Sequence, residues 1–179
     1  MQLIKELLPN VYLFSLNKIE DIRGDFLKIY NLNSLKKYNI DFVPNECYLS
    51  TSSLNVIRGM HYQVSNYAHN KLITCYRGEV LDVIVDVRKD SVNYNKPVSY
   101  ILKSDLPQAI YIGKGYAHGF LSLKENSTMS YLTSTVYDPS SDCGVLWSSI
   151  NFEWPIADPI ISDRDKFHPK LGNHKCEFF

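Results

Sequence analysis

Residues 80–87 read Val-Leu-Asp-Val-Ile-Val-Asp-Val, and this run constrains the fold more than any other stretch of the chain. β-Branched side chains lose rotamer freedom in a helix and pack well on a pleated surface. In a strand, Leu81, Val83, Val85 and Val87 share one face, while Asp82 and Asp86 lie beside Val80 and Ile84 on the other. The alternation predicts a strand with one buried side. Comparable short runs occur at Val11–Leu16, Phe26–Tyr30, Glu46–Ser52, Lys71–Tyr76, Val98–Leu102, Ala109–Ile112, Gly119–Leu123, Thr128–Val136 and Gly144–Trp147. Turn residues punctuate them at Arg77-Gly78, Lys103–Pro107, Gly113–Gly115 and Asp138–Ser141. Only Asn33–Tyr38 and the C-terminal segment carry helical potential. The pattern predicts a mainly β sandwich or barrel. With no repeat, linker or low-complexity tract, residues 1–179 are expected to form one domain. Gly172 to Phe179 carry no pattern, so packing across a dimer and staying loose are both open.

Charge narrows the function. Lys plus Arg and Asp plus Glu number 19 each, so no overall field draws the protein to nucleic acid or an acidic membrane. An anionic ligand must then be held by a few local cations. The four cysteines, Cys47, Cys75, Cys143 and Cys176, form neither a CxxC pair nor a zinc-like grouping and are expected to be free thiols. No segment reaches the length of a membrane span, and the first residues lack the apolar run of a signal peptide. The expected location is the cytoplasm. Tyrosine is abundant, at 13 residues, which suits strands and also ligand pockets.

The densest polar cluster is Arg58-Gly59-Met60-His61-Tyr62-Gln63, followed by Lys71 at the head of an apolar strand. If His61 and Gln63 point inward, they supply a base and a polar orienter to the barrel interior. Arg58 then reaches the same pocket only from its rim or through a backbone irregularity. Burying such groups costs free energy unless they have partners, which argues for a site. A second cluster, Gly113-Lys114-Gly115-Tyr116-Ala117-His118-Gly119-Phe120, places His118 after a tight turn. Tyr131 and Tyr137 are six residues apart, on one face of an extended strand. A tyrosine facing inward opposite a histidine can donate a proton, although two core aromatics with bonded hydroxyls fit the same spacing. Ile161-Ser162-Asp163-Arg164-Asp165 offers carboxylates able to orient an imidazole.

A metal-binding barrel of this kind needs a His-x-His pair, but here the third residue of His61-Tyr62-Gln63 is glutamine, a poor transition-metal ligand. No metal centre is therefore expected. GxGxxG, Walker and nucleophile-elbow signatures are also missing from the sequence.

These segments, taken in order, resemble the dTDP-4-dehydrorhamnose 3,5-epimerase family. The matching pieces are Asp21-Ile22-Arg23-Gly24-Asp25-Phe26, residues 55–63, Lys71-Leu72-Ile73, residues 78–88, Gly115 to Phe120, Tyr131, Tyr137-Asp138-Pro139, Trp154-Pro155 and Ser162-Asp163-Arg164-Asp165. The resemblance implies a double-stranded β-helix, the cupin jelly-roll, usually as a homodimer in which the neighbouring subunit supplies part of each site. It implies a nucleoside-diphosphate 4-keto sugar as substrate, with no cofactor. The ketone acidifies the hydrogens on carbons 3 and 5. His61 would be the base, Asp165 its support, Lys71 the cation facing the enolate oxygen and Tyr131 the acid on the opposite face. His118 and Tyr137 would line the sugar pocket, and Arg58 and Arg23 would grip the diphosphate and sugar nucleotide. Phe26 and Gln63 complete the substrate-binding set.

Three positions depart from the family pattern. Lys28 stands where the family usually has Glu, and Glu46 and Tyr48 stand where it usually has Gln and Asn. The expectation is unchanged chemistry with an altered nucleotide or sugar, so that GDP- or CDP-linked 4-keto sugars fit as well as the dTDP one. The alternatives to epimerisation are a 3,4-ketoisomerase on a similar scaffold and a sugar-binding barrel without catalysis.

Overall fold

The computed structural model describes residues 1–178, and Phe179 lies outside the described residues. The segment Glu79–Asp86 is a strand, but with both faces covered rather than one. Val83 and Val85 are buried on one side, Val80 and Ile84 on the other, and Asp82 and Asp86 are only 1% and 0% exposed. A buried carboxylate is tolerated when it is paired. Asp86 takes two contacts from the Arg88 guanidinium, at 3.0 and 2.6 Å, and Asp82 lies 2.7 Å from His118 Nε2. The aspartates mark interior partners, not a solvated face.

In chain order the strands are β1 (Gln2–Leu8), β2 (Val11–Ser15), β3 (Lys18–Asp21), β4 (Gly24–Leu27), β5 (Glu46–Ser52), β6 (Ile57–Gln63) and β7 (Lys71–Arg77). They continue with β8 (Glu79–Asp86), β9 (Val98–Lys103), β10 (Gln108–Ile112), β11 (Tyr116–Ser122), β12 (Ser127–Thr133) and β13 (Asp142–Gly144). Two short helices, α1 (Leu32–Lys36) and α2 (Asp163–Lys166), complete the elements needed here. A six-stranded sheet runs β1-β2-β10-β7-β12-β5, and a five-stranded sheet runs β13-β6-β11-β8-β9. The ladders in both are antiparallel. From β5 to β8, and again from β9 to β13, the chain changes sheet at each step. That alternation makes a jelly-roll of two facing layers, the mainly β class read from the sequence.

Three apolar clusters hold the layers. Leu13, Ile73, Ile84, Ile110, Phe120 and Met129 meet between the sheets. Met60, Tyr62, Val83, Val85, Trp154 and Phe178 cover the outside of the five-stranded sheet. Phe14, Leu72 and Tyr111 on the outside of the other sheet pack against Leu35, Ile40 and Phe42. α1 is too short to be stable alone. Asn31 caps it by accepting from the Ser34 amide, and fully buried Leu35 anchors it, a burial that contributes about 2 kcal/mol. The tail to Phe178 packs back on its own chain. The Ser65 amide donates to Glu177 O, and Phe178 is 3% exposed against Tyr62.

Some expected elements shift. The strand expected at Phe26–Tyr30 is instead β4, paired with β3 in a two-stranded ribbon outside both sheets. The run to Val136 stops at Thr133, and the one expected at Gly144–Trp147 ends at Gly144. β1 carries little signal because most of its side chains are exposed on a sheet edge. The C-terminal segment is helical only in α2, since Pro155, Pro159 and Pro169 interrupt it. Among the described residues, no helix is long and apolar enough to cross a membrane.

Candidate active site

Between the two sheets opens a cavity of about 400 Å³, a size suited to a small-molecule ligand. Its position depends on a bulge in β6. His61 lies opposite His118 and Arg58 opposite Phe120, so Gly59 and Met60 together face Gly119 alone. Strict alternation would put positions 58 and 61 on opposite faces, but the extra residue brings both to the cavity. This is the irregularity that Arg58 required. Only glycine fits there, because a Cβ on Gly59 would stand 2.5 Å from Gly119 Cα at a φ of +128°. Met60 and Tyr62 turn outward into the apolar cover.

His61 Nε2 lies 2.7 Å from Asp165 Oδ1, and Asp165 Oδ2 accepts the Gly59 amide at 3.0 Å. Burial alone would raise the Asp165 carboxyl. The neighbouring His168 ring and the hydrogen bonds from His61 and Gly59 hold it well below the usual carboxylate range. An ionised carboxylate only accepts, so His61 Nε2 carries the proton and Nδ1 keeps its lone pair. The His61 side chain is 28% exposed, and burial lowers its pKa against the pull of Asp165. A neutral imidazole backed by a carboxylate is an arrangement suited to a general base. Ser162 caps α2 by accepting the Asp165 amide, which fixes the carboxylate from its own helix.

Lys71, the first residue of β7, is 6% exposed and donates to His61 O at 3.1 Å. Burial pushes its ammonium down to about 8. Tyr131 stands on β12 in the sheet opposite His61. Burial raises its hydroxyl well above the ordinary value, so the proton stays on at neutral pH. The Tyr48 ring stacks on it at 4.8 Å and 12°. His118 Nε2 pairs with buried Asp82, and its ring is 6.0 Å from that of Tyr131.

Tyr137 also lines the cavity, but not by sharing a strand face with Tyr131. β12 ends before it, and the loop holds Tyr137 through its amide to Glu46 Oε2 at 3.0 Å. Gln63 faces inward as expected. Its Nε2 donates to Tyr67 O and Val136 O and lies 3.1 Å from His69 Nδ1, and its Oε1 accepts the Asp138 amide, so it braces the loop that carries Tyr137. Arg58 donates to Ser52 Oγ and Thr51 O at the rim. Arg23 and Phe26 are not among the residues lining this cavity. They sit on the exposed ribbon, where Arg23 pairs with Asp21 and Phe26 is 57% exposed.

Sequence reasoning missed several site residues. Asp82 fell on the strand face opposite the one that alternation reads as buried. Asp142 and Arg164, paired at 2.6 Å on the cavity wall, and His69 come from irregular or short segments with no periodic signal.

A cupin jelly-roll with a supported imidazole on one sheet and a protonated tyrosine on the other defines a class: enzymes that move protons on and off carbon in a bound ligand. The model of the dTDP-4-dehydrorhamnose 3,5-epimerase family matches residues 5–173. The dTDP-4-dehydrorhamnose 3,5-epimerase of Shigella flexneri is 37% identical over 170 residues, covering 92% of this chain and 93% of that one. The crystal structure of the enzyme of that name from Bacillus anthracis, with TDP and PPi bound, has a TM-score of 0.91 at 33% identity, over 95% and 99% of the two chains. A 3'-monoepimerase from Streptomyces bikiniensis in complex with dTDP-quinovose has a TM-score of 0.85 at 28% identity, over 91% and 84%. The chain belongs to the dTDP-4-dehydrorhamnose 3,5-epimerase family. It is an isomerase, an epimerase of nucleoside-diphosphate 4-keto-6-deoxy sugars, and the ketoisomerase and binding-only readings give way.

Proposed function

We propose that the chain, acting as one domain, inverts carbon 3, carbon 5 or both in a dTDP-linked 4-keto-6-deoxy sugar, with His61 as base and Tyr131 as acid. The observation that carries this is their placement on opposite sheets, facing one cavity. His61 Nδ1 removes the proton that the ketone has acidified. Asp165 stabilises the imidazolium that forms, and Lys71 stabilises the negative charge on the enolate oxygen. Tyr131 then returns a proton from the other side, which inverts the centre. His118, held by Asp82, contacts the sugar, Tyr137 and Gln63 shape the mouth, and Arg58 grips the diphosphate. None of these steps uses a cofactor.

Arg23 and Phe26 serve the site of a second copy, in a homodimer. In support, Ile22 is fully exposed on the ribbon tip, with Ile19 and Phe26 more than half exposed beside it, an apolar surface suited to burial in a partner. The nucleotide is dTDP, since TDP and dTDP-quinovose occupy the compared structures. Glu46 and Tyr48 reshape the cavity wall around Tyr131 without removing the acid or the base. The cytoplasm, where nucleotide sugars are made, is the proposed location.

The decisive experiment follows proton NMR of dTDP- and GDP-linked 4-keto-6-deoxy sugars in deuterated water. Exchange at carbons 3 and 5 of the dTDP sugar, abolished in His61→Ala, is expected. Exchange at one carbon alone assigns a single epimerase. No exchange with either sugar defeats the proposal, and a preference for the GDP sugar moves it to another nucleotide. Sedimentation of the protein tests the dimer.

A further inference from the structure

Every second residue of β5 shares one face of the strand, and on that face each touches a residue already placed in the site. Glu46 accepts the Tyr137 amide at 3.0 Å, and Ser52 Oγ accepts from Arg58 Nε at 2.9 Å. Between them, Ser50 stands beside the Tyr131 hydroxyl, and Tyr48 stacks on the Tyr131 ring. None of the roles above uses Tyr48.

The register accounts for the stack. Tyr48 is directly opposite Tyr131 in the antiparallel ladder of β5 and β12, the pairing in which cross-strand side chains interact. The rings lie 12° from parallel with centroids 4.8 Å apart, within the range that stacked aromatics favour. On the other side of β12, fully buried Ile73 of β7 is opposite Tyr131, and the His118 ring meets it at 61° and 6.0 Å. β5 ends the sheet, so on its own side Tyr48 is the wall against which Tyr131 rests. A strand tyrosine has two common χ1 rotamers, and a hop between them carries the hydroxyl several ångströms. Proton transfer tolerates no such drift, since a displacement of about 1 Å can cost about a hundredfold in rate.

We propose that Tyr48 is a positioning residue whose ring holds the Tyr131 hydroxyl toward the carbon that His61 deprotonates. It thereby sets how often the enolate is inverted rather than restored. The proposal rests on Tyr131 being the acid of the reaction above. The enolate has two fates. Tyr131 passes its O–H proton to the carbon as the ketone re-forms, and the phenolate regains a proton from solvent; the centre is inverted. Alternatively, the His61 imidazolium returns a solvent-exchanged proton to the face it left, and the configuration is kept.

The test follows proton NMR of a dTDP-linked 4-keto-6-deoxy sugar in deuterated water. Initial rates of inversion and of deuterium entry into the uninverted epimer give a ratio independent of substrate affinity and of the folded fraction. In Tyr48→Ala this ratio falls by about tenfold or more while exchange continues. Tyr48→Phe keeps the ring and restores the ratio. In substrate-free enzyme, the Tyr131 ring protons, shifted upfield by the facing ring, move downfield in Tyr48→Ala and stay in place in Tyr48→Phe. An unchanged ratio in Tyr48→Ala overturns the proposal, as does an equal loss in Tyr48→Phe, which would assign the effect to the hydroxyl. Ring signals that do not move in Tyr48→Ala overturn it without any substrate. Failure of the catalytic reading looks different: the ring signals behave as expected, but the wild type exchanges no sugar.

Discussion

Replacing Lys71 by methionine is expected to make the protein more stable at neutral pH while removing its activity. Lys71 is 6% exposed, and its ammonium is displaced from 10.5 to about 8, chiefly by burial. At roughly 1.4 kcal/mol per pH unit, that displacement corresponds to a cost of about 3 kcal/mol for carrying the charge inside the folded protein. Below pH 8 the group is charged in both the folded and unfolded states, so the full cost applies. Between about 8 and 10.5 the unfolded chain binds the extra proton, and wild-type stability rises with pH. Above 10.5 the cost vanishes. Methionine keeps the packing of the stem and drops the charge. Against this stands the lost bond to His61 O, worth about 1 kcal/mol. The net expectation is a gain of about 2 kcal/mol at pH 7. Urea unfolding of both proteins at pH 7 and pH 10 measures it, and other titrating groups cancel in the difference. A Lys71→Met protein no more stable than wild type at pH 7, or an advantage that does not shrink by pH 10, refutes the reasoning.

Gly59→Ala puts a Cβ 2.5 Å from Gly119 Cα and forces an alanine to φ +128°. It should cost about 3 kcal/mol or more in chemical denaturation, and with the bulge gone kcat should fall because Arg58 and His61 no longer face the cavity together. Asp82→Ala leaves the 3%-exposed His118 without its partner, and calorimetry should register a loss of about 1–3 kcal/mol. Asp165, held below 3.8 in the fold, contributes stability that is full above that pH and drains away as the pH falls through its folded value. The stability difference between wild type and Asp165→Asn should therefore narrow between pH 5 and pH 2, and a constant difference would count against the ionised carboxylate.

The parts legible in the sequence are those set by local pattern. β5 falls on the expected residues Glu46–Ser52, and β8 to within a residue at each end. His61, Lys71, Tyr131, His118 and Arg58 meet in one cavity as the clusters suggested. What the sequence hides depends on distant partners. The bulge exists because Gly59 meets Gly119, sixty residues on, and the spacing within β6 alone leaves Arg58 on the wrong face. Tyr137 reaches the cavity by a loop tied to Glu46, so its six-residue spacing from Tyr131 was a coincidence. Asp82 looked solvated because alternation cannot distinguish water from a buried histidine. Arg23 and Phe26 lie on a ribbon outside both sheets, away from the cavity, where local pattern carries no signal of a site.

The repeated crossing of the chain between sheets also bears on how the protein comes to work. The residues around the cavity lie on strands that reach it only after several long loops have closed, with Asp165 near the end of the sequence supporting a histidine at position 61. Such non-local closure is slow. No contiguous fragment holds a workable pocket, and during refolding the return of turnover should lag behind the return of strand signal. Catalysis here is a late report that the whole topology has been completed.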